Sequence, residues 1–323
     1  MPPSEHHGFA SGTLGMAALL TVLTSSQGLL TSASKTGGGY AYNPATVPFF
    51  AEITKLSIST FLLRRQQRSD PASARVTRSW RSAMLYPVPG LIYAAHNNVQ
   101  FYFLKHVDPT TYQILGNLKI ITTGLLLRAV LGRRLSPLQW IALSLLAVGA
   151  TTSQISTDCE SETVMRAPLI GYLFGLLSAC LSALAAVYTE WVLKHNSDSL
   201  YWQNMQLYGF GVIFNGVGLL AGKGSVLHPL RGYSFATWCV VANLAFSGLL
   251  VSWIMKFADS IVKVYSTSLA MLLTLVISIL FFSLHATLQM GLGILVAAAS
   301  VVLFYVPPEK LGNKDPPSAN LPK

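Results

Sequence analysis

Long apolar runs recur along the chain, and their length constrains the fold more than any other feature of the sequence. A helix rises 1.5 Å per residue, so about 20 apolar residues cross a hydrocarbon layer that is about 30 Å thick. Lipid offers backbone groups no partner, so each run is expected to be a helix. The runs predict ten membrane spans, at residues 11–31, 45–63, 82–104, 109–131, 137–153, 168–193, 200–222, 235–256, 261–282 and 286–306.

The composition also indicates lipid as the surrounding solvent. Only 11% of the residues are charged and 52% are hydrophobic, whereas about a quarter of the residues of a soluble protein are charged. The net charge of +10 does not indicate a nucleic-acid partner, because the basic residues lie in short segments between apolar runs. We therefore expect an all-α integral membrane protein with one transmembrane domain at 11–306 and tails at 1–10 and 307–323.

The distribution of basic residues predicts the orientation in the membrane. Ten spans place both termini on one side, and basic residues concentrate on the cytosolic side of membrane proteins. With cytosolic termini, the cytosolic segments contain Arg64, Arg65, Arg68, Arg75, Arg78, Arg81, Arg128, Arg133, Arg134, Lys194, Lys256, Lys263, Lys310, Lys314 and Lys323. The opposite side contains Lys35, Lys105, Arg166, Lys223 and Arg231. We expect a multi-pass protein with both termini in the cytosol.

The two halves of the chain share short sequence patterns. Lys105–Asp108 precedes the fourth predicted span as Lys256–Asp259 precedes the ninth, and Leu138–Gln139 opens the fifth span as Leu288–Gln289 opens the tenth. Each half holds five predicted spans, an odd number, so two related halves must be inverted in the membrane. Inverted repeats are a common architecture of transporters with a site near the membrane midplane; accidental alignment of similar apolar helices is the alternative. The predicted repeats cover residues 11–153 and 168–306.

Lys119 lies near the middle of the fourth predicted span, where a charge is costly. A lysine at the centre of a spanning helix costs at least about 2.5–3.5 kcal/mol on insertion scales. An anionic ligand in a hydrated cavity would compensate for this cost. The alternative is a structural ion pair with a carboxylate of another helix.

Other charged residues in the predicted spans are open to both structural and functional interpretations. Glu52 and Lys55 are three residues apart and share one helix face, so they form either a self-neutralising pair or a second anion contact with its support. Glu190 is expected to pair with Lys194, and a gating role is the weaker alternative. Lys263 falls in the first turn of the ninth span, where free N–H groups and an ammonium suit a phosphate; an interfacial lysine is the alternative.

Several amide and phenol side chains also fall inside predicted spans. They include Asn97, Asn98, Tyr112, Gln113, Asn117, Asn204, Gln206 and Tyr208. Amides can form hydrogen bonds with a base or ribose, and a tyrosine can stack on a base. Each of these side chains can instead join helices through hydrogen bonds. Together with the lysines they favour a site for a bulky polar anion.

Motifs for several other chemistries are missing from the sequence. It contains no Walker-A loop, HExxH or CxxC, its seven histidines do not cluster, and Cys159, Cys180 and Cys239 are scattered. We therefore expect neither an enzyme nor a protein with a metal or cofactor.

The sequence resembles the nucleotide-sugar transporters of the drug/metabolite transporter superfamily, most closely the CMP-sialic acid and UDP-galactose subgroup and its plant members. The stretches that carry this resemblance are FAEITKL (Phe50–Leu56), NNVQF (Asn97–Phe101), DPTTYQILGNLKI (Asp108–Ile120), AVYTE (Ala186–Glu190), NMQLY (Asn204–Tyr208) and KFADSIVK (Lys256–Lys263). It implies ten helices in an inverted repeat, cytosolic termini, and antiport of a nucleotide sugar against a nucleoside monophosphate. The implied location is the Golgi membrane, with the endoplasmic reticulum as the alternative.

The resemblance also assigns roles to residues. It implies that Lys119 and Lys263 contact phosphate and that Lys55 faces the same cavity. It further implies base, ribose or sugar contacts from Asn97, Asn98, Tyr112, Asn204, Tyr208 and Ser252.

Three kinds of cargo remain open at this point. The leading hypothesis is exchange of CMP-sialic acid or a similar CMP-sugar for CMP, and the nearest alternative is exchange of UDP-galactose or UDP-N-acetylglucosamine for UMP. An exporter of non-nucleotide small molecules is the alternative of another class, but buried lysines would repel apolar cations. The expected partners are therefore the nucleotide sugar, the monophosphate and the lipid bilayer, and a homodimer is compatible with the sequence.

Overall fold

The structure, a computed structural model, describes residues 3–36, 39–107, 109–154, 168–221, 229–281 and 287–305. Within these ranges the chain forms helices and no strand longer than an isolated bridge between Thr36 and Gly39. The helices are α1 (Pro3–Ala33), α2 (Thr46–Ser69), α3 (Trp80–Ala83), α4 (Pro87–His106), α5 (Pro109–Gly116), α6 (Leu118–Leu131), α7 (Pro137–Thr152), α8 (Leu169–His195), α9 (Leu200–Ala221), α10 (Phe235–Phe257), α11 (Ser260–Phe281) and α12 (Leu288–Tyr305).

Within the described residues, seven helical segments are long and apolar enough to cross a membrane. They are Gly12–Ala33, Thr46–Ser69, Ile114–Leu131, Leu169–His195, Phe235–Phe257, Ser260–Phe281 and Leu288–Tyr305. The other predicted spans coincide with α4, α7 and α9. Of these, α7 has only 16 residues, whereas α4 and α9 contain several amide residues that lower their hydropathy. The all-helical membrane fold is confirmed, whereas the number of ten spans stays a prediction.

Two predicted spans are divided in the structure. The third was expected to start at residue 82, but α4 starts at Pro87, because proline has a helical φ and needs no N–H partner in a first turn. Pro87 therefore opens the helix. The fourth span is interrupted at Asn117, whose N–H bonds to the Ile114 carbonyl over three residues, as in a 3₁₀ turn. Asp108, which directly precedes the fourth predicted span, lies outside the described residues.

The chain divides into two compact units. Unit 1 comprises residues 1–95 and 188–277, and unit 2 comprises residues 96–187 and 278–323. Each unit therefore draws on both halves of the sequence.

In unit 1, α2 packs on α9 and α10, and α1 packs on α10. The contact of α1 with α10 and the start of α11 centres on the buried side chains of Leu20, Leu250, Ile254 and Val262. One end of the unit is held by an aromatic cluster in which the Tyr233 hydroxyl lies 2.7 Å from the Thr46 hydroxyl. These contacts fix α2, α9 and α10 against one another.

In unit 2, α7 packs on α12 through two glycines. A Cβ added to Gly149 would lie 2.7 Å from the Ala297 nitrogen, and one added to Gly293 would lie 2.6 Å from the Ser153 nitrogen. Small residues allow such close backbone approach between membrane helices. The α7–α12 contact therefore requires glycine at both positions.

Candidate substrate site

A buried ion pair lies on the face of α2 that packs against α9 and α10. The Lys55 ammonium is 2.6 Å from the Glu52 carboxylate, and the two side chains are only 10% and 19% exposed. Residues three apart on a helix are neighbours, and the predicted shared face is confirmed by this contact. The ammonium also lies 4.4 Å from the centre of the Tyr208 ring. A desolvated cation over an aromatic face is stabilised by the ring quadrupole.

Tyr208 connects α9 to α10 through its hydroxyl group. The hydroxyl lies 2.6 Å from the Ser252 hydroxyl and donates to the Gly248 carbonyl at 3.1 Å. Because the Tyr208 hydroxyl donates its hydrogen to the Gly248 carbonyl, the Ser252 hydroxyl is the donor in its hydrogen bond with Tyr208. Lys55, Tyr208 and Ser252, which the sequence predicted as substrate contacts, thus form one contact network with the predicted support residue Glu52. We call these four residues the Lys55 cluster.

Two glycines make room for the ion pair. A Cβ added to Gly211 on α9 would lie 2.6 Å from a Glu52 carboxylate oxygen, and one added to Gly248 on α10 would lie 2.8 Å from Cδ of Lys55. Both charged side chains therefore lie against bare backbone of the neighbouring helices. No pattern in the sequence marks these two glycines, because only the helix packing shows what they face.

Unsatisfied polar atoms lie one helical turn away from the Lys55 cluster. Asn204 precedes Tyr208 by one turn of α9, and Ser59 follows Lys55 by one turn of α2. The Asn204 side-chain carbonyl and the Ser59 hydroxyl are both buried and have no hydrogen-bond partner among the described residues. A buried polar group without a partner costs roughly 1–3 kcal/mol. Water or a polar ligand would supply the missing partner.

Lys263 lies in the first turn of α11, as predicted. Its ammonium is 3.3 Å from the Tyr93 hydroxyl of α4 and 5.9 Å from the centre of that ring. Tyr93 was not identified from the sequence, because its contact with Lys263 joins segments that are 170 residues apart.

Two of the N–H groups at the start of α11 already have carboxylate acceptors, which corrects the expectation that this helix start is free to join Lys263 at a phosphate. Glu190 accepts hydrogen bonds from both the backbone N–H and the hydroxyl of Ser260, each at 2.6 Å. Asp259 accepts the Val262 N–H at 2.9 Å. Carboxylates are favourable partners at a helix N-terminus, so the chain caps this helix itself. The group of Lys263 that remains suited to an anion is therefore its ammonium.

Glu190 therefore has a structural role in addition to its expected ion pair. Its second oxygen lies 2.7 Å from the Lys194 ammonium, which confirms the predicted pair. Lys194 also donates to the carbonyl of Ala258. The end of α8 is thus joined to the turn between α10 and α11.

The remaining predicted site residues belong to unit 2. Lys119 lies half-buried in the first turn of α6. Tyr112 accepts a hydrogen bond from Gln100, and its ring lies 4.8 Å from that of Phe103. Asn97 and Asn98 lie on α4, and their side chains fall outside the described residues.

The fold and these residues define a class, a multi-pass helical membrane protein with a buried lysine between a carboxylate and a tyrosine ring. Comparison with known proteins identifies the group within this class. The sequence pattern of the family described as "Nucleotide-sugar transporter" matches residues 13–305. The chain belongs to the nucleotide-sugar transporter family.

The chain is similar over most of its length to plant proteins of this family. It is 56% identical over 303 residues to "CMP-sialic acid transporter 1" of Oryza sativa subsp. japonica, which covers 90% of this chain and 94% of the relative. It is 53% identical over 307 residues to "CMP-sialic acid transporter 1" of Arabidopsis thaliana, covering 92% and 90% of the two chains. A protein of known crystal structure shares the fold, with a TM-score of 0.66 at 14% identity and coverage of 91% of this chain and 97% of that one.

Proposed function

We propose that this transporter exchanges cytosolic CMP-sialic acid, or a similar CMP-sugar, for lumenal CMP by alternating access. The proposed location is the Golgi membrane, with ten spans and both termini in the cytosol. The names of the plant relatives favour the CMP-sugar. The basic residues of the predicted cytosolic segments favour the orientation.

The observation that carries the proposal is the Lys55 cluster. A lysine held in the interior of the helices costs free energy. Its carboxylate partner within the described residues, Glu52, lies on the same helix. We propose that the Lys55 ammonium attracts the anionic substrate while Glu52 and the Tyr208 ring stabilise it when the site is empty. Ser252 and Asn204 are suited to hydrogen bonds with ribose, base or sugar, because the Asn204 carbonyl lacks a partner among the described residues.

The other predicted contacts complete the proposed site. Lys119 and Lys263 are proposed as the phosphate contacts, and Asn97, Asn98 and Tyr112 as contacts to base or ribose. Each exchanged ligand carries about two negative charges, so one set of lysines suits both ligands. Exchange of like charges requires no coupling ion.

The positions of four helices support the inverted repeat that we propose for alternating access. Helix α5 begins at Pro109 and α11 at Ser260, whereas α7 begins at Pro137 and α12 at Leu288, so both pairs start 151 residues apart. The equal spacing of two pairs of helix starts is harder to obtain by chance than one shared pattern of a lysine and an aspartate three residues later. Repeated halves provide the two alternating arrangements that transport requires.

Counterflow into proteoliposomes tests this function. Purified protein is reconstituted into vesicles preloaded with CMP, UMP, GMP or buffer, and uptake of labelled CMP is followed. We expect uptake only with internal CMP, and its loss in Lys55→Met and Lys119→Ala. Preference for internal UMP would indicate that the cargo is a UDP-sugar. No exchange by folded protein with any nucleotide would refute the proposal.

A further inference from the structure

The segment between α2 and α3 is folded against the start of α9. The Arg75 guanidinium donates to the Ser197 hydroxyl at 2.7 Å, and the Arg75 carbonyl accepts the Ser199 N–H at 2.9 Å. Thr77 donates to the Asp198 carboxylate at 2.8 Å and accepts the Trp202 indole N–H at its carbonyl. These hydrogen bonds therefore hold the segment in place against the start of α9.

Five arginines of this region point away from the protein. They are Arg64, Arg65, Arg68, Arg78 and Arg81, all exposed and without a hydrogen bond or ion pair to the described residues. Asp70 is the only acidic residue between positions 64 and 81. This set, which we call the arginine surface, therefore carries a strong positive charge that the described part of the chain does not neutralise.

The indole of Trp80 belongs to the same surface. It lies on α3 between Arg78 and Arg81 and is 75% exposed. Tryptophan is enriched at the boundary between lipid and water, because its ring is apolar and its N–H is polar. An exposed indole between two arginines thus fits a lipid headgroup layer.

The position of the arginine surface decides between possible partners. Three of its arginines lie in the last two turns of α2, which is long and apolar enough to cross a membrane. Headgroups of the adjacent leaflet therefore lie beside the surface permanently, whereas a protein partner must diffuse to it. We propose that the arginine surface binds the anionic phospholipid headgroups of the leaflet at this end of α2, with Trp80 inserted among them. Each basic residue near an anionic surface strengthens binding on the order of fivefold.

Lipid binding by the full-length protein tests this proposal. Thermophoresis would measure the affinity of the protein, in neutral detergent, for three short-chain fluorescent lipids. They are phosphatidylserine, phosphatidylinositol 4-phosphate and phosphatidylcholine. We expect the anionic lipids to bind at least tenfold more tightly than phosphatidylcholine, and this preference to disappear when all five arginines are replaced by glutamine. Arg→Lys replacement of all five is expected to retain the preference, and Arg231→Gln, an exposed arginine elsewhere, to leave it unchanged.

Three outcomes would overturn the proposal. One is equal affinity for anionic and neutral lipid, and another is undiminished anionic binding by the five-glutamine variant. The third is equal binding of soluble glycerophosphoserine or of an acidic peptide, since either would indicate general anion recognition. An unchanged unfolding temperature and a monodisperse elution profile show that the glutamine variant is folded, whether or not the protein transports CMP. Failure of transport in the unchanged protein would leave the lipid test intact.

Discussion

The Lys55 ammonium lies between the Glu52 carboxylate, 2.6 Å away, and the Tyr208 ring, whose centre is 4.4 Å away. Removing one member of a buried ion pair leaves the other charge uncompensated, which costs about 3–5 kcal/mol. The ring offers a further attraction of about 2 kcal/mol when the cation is desolvated. This arrangement allows stability and transport to be separated by mutation.

A single and a double substitution in the ion pair separate its structural role from substrate binding. We expect Lys55→Met to lower the thermal stability of the detergent-solubilised protein, and Glu52→Gln with Lys55→Met to recover most of that loss, because no uncompensated charge remains. Transport is expected to stay below a tenth of normal in both variants, since each lacks the ammonium. Normal transport by the stable double variant would show that Lys55 is purely structural.

The Gly211 position tests the geometry of the pair without changing its charges. Gly211→Ala places a Cβ 2.6 Å from the Glu52 carboxylate and is expected to displace it, lowering CMP counterflow several-fold. Gly209→Ala is the matched control on the same helix, because its Cβ would meet nothing within 4 Å. Equal transport rates for the two variants would mean that the position of Glu52 does not matter.

Glu190 is expected to matter more for stability than its partner Lys194. Glu190→Gln weakens charge-assisted hydrogen bonds to Ser260 that are each worth about 1.5–3 kcal/mol. Lys194→Gln removes an ion pair whose ammonium is 36% exposed and a hydrogen bond to the Ala258 carbonyl. We expect a smaller loss of stability from it, because Glu190 keeps its hydrogen bonds to Ser260. Thermal unfolding measures both, and a larger loss for Lys194→Gln would contradict the capping role of Glu190.

The α7–α12 contact gives a second stability prediction. Gly293→Ala would place a Cβ 2.6 Å from the Ser153 nitrogen, and backbone cannot move aside cheaply, so we expect a loss of about 1–3 kcal/mol or more. Gly291→Ala lies on the same helix with nothing within 4 Å of its added Cβ and should be neutral or slightly stabilising. Similar unfolding temperatures for the two variants would show that this contact can relax.

Features that depend on short-range patterns could be predicted from the sequence. The apolar runs located the helices, and the spacing of Glu52 and Lys55 predicted their pairing, because both follow from helix geometry alone. The contact of Lys55 with Tyr208 could not be predicted, since it depends on the packing of α2 against α9. The capping of Ser260 by Glu190 was missed for the same reason, because 70 residues separate the two.

The division of the fourth span at Asn117 was also missed. Asn117 lies within a run of residues that is otherwise long enough to cross a membrane as one helix. The hydrogen bond from its side chain to Thr151, at 3.3 Å, forms only when α6 and α7 pack together. The expectation of a free helix N-terminus beside Lys263 was also wrong, because carboxylates of Asp259 and of Glu190 on a distant helix accept its N–H groups.

The most direct test of the proposed exchange uses the nucleotide sugar itself. Proteoliposomes loaded with CMP, UMP or buffer are supplied with labelled CMP-sialic acid outside, and its initial rate of uptake is measured. Exchange predicts uptake at least tenfold faster with internal CMP than with buffer or UMP, and loss of this stimulation in Lys119→Ala. Equal uptake into CMP-loaded and empty vesicles would contradict obligatory exchange of a CMP-sugar for CMP.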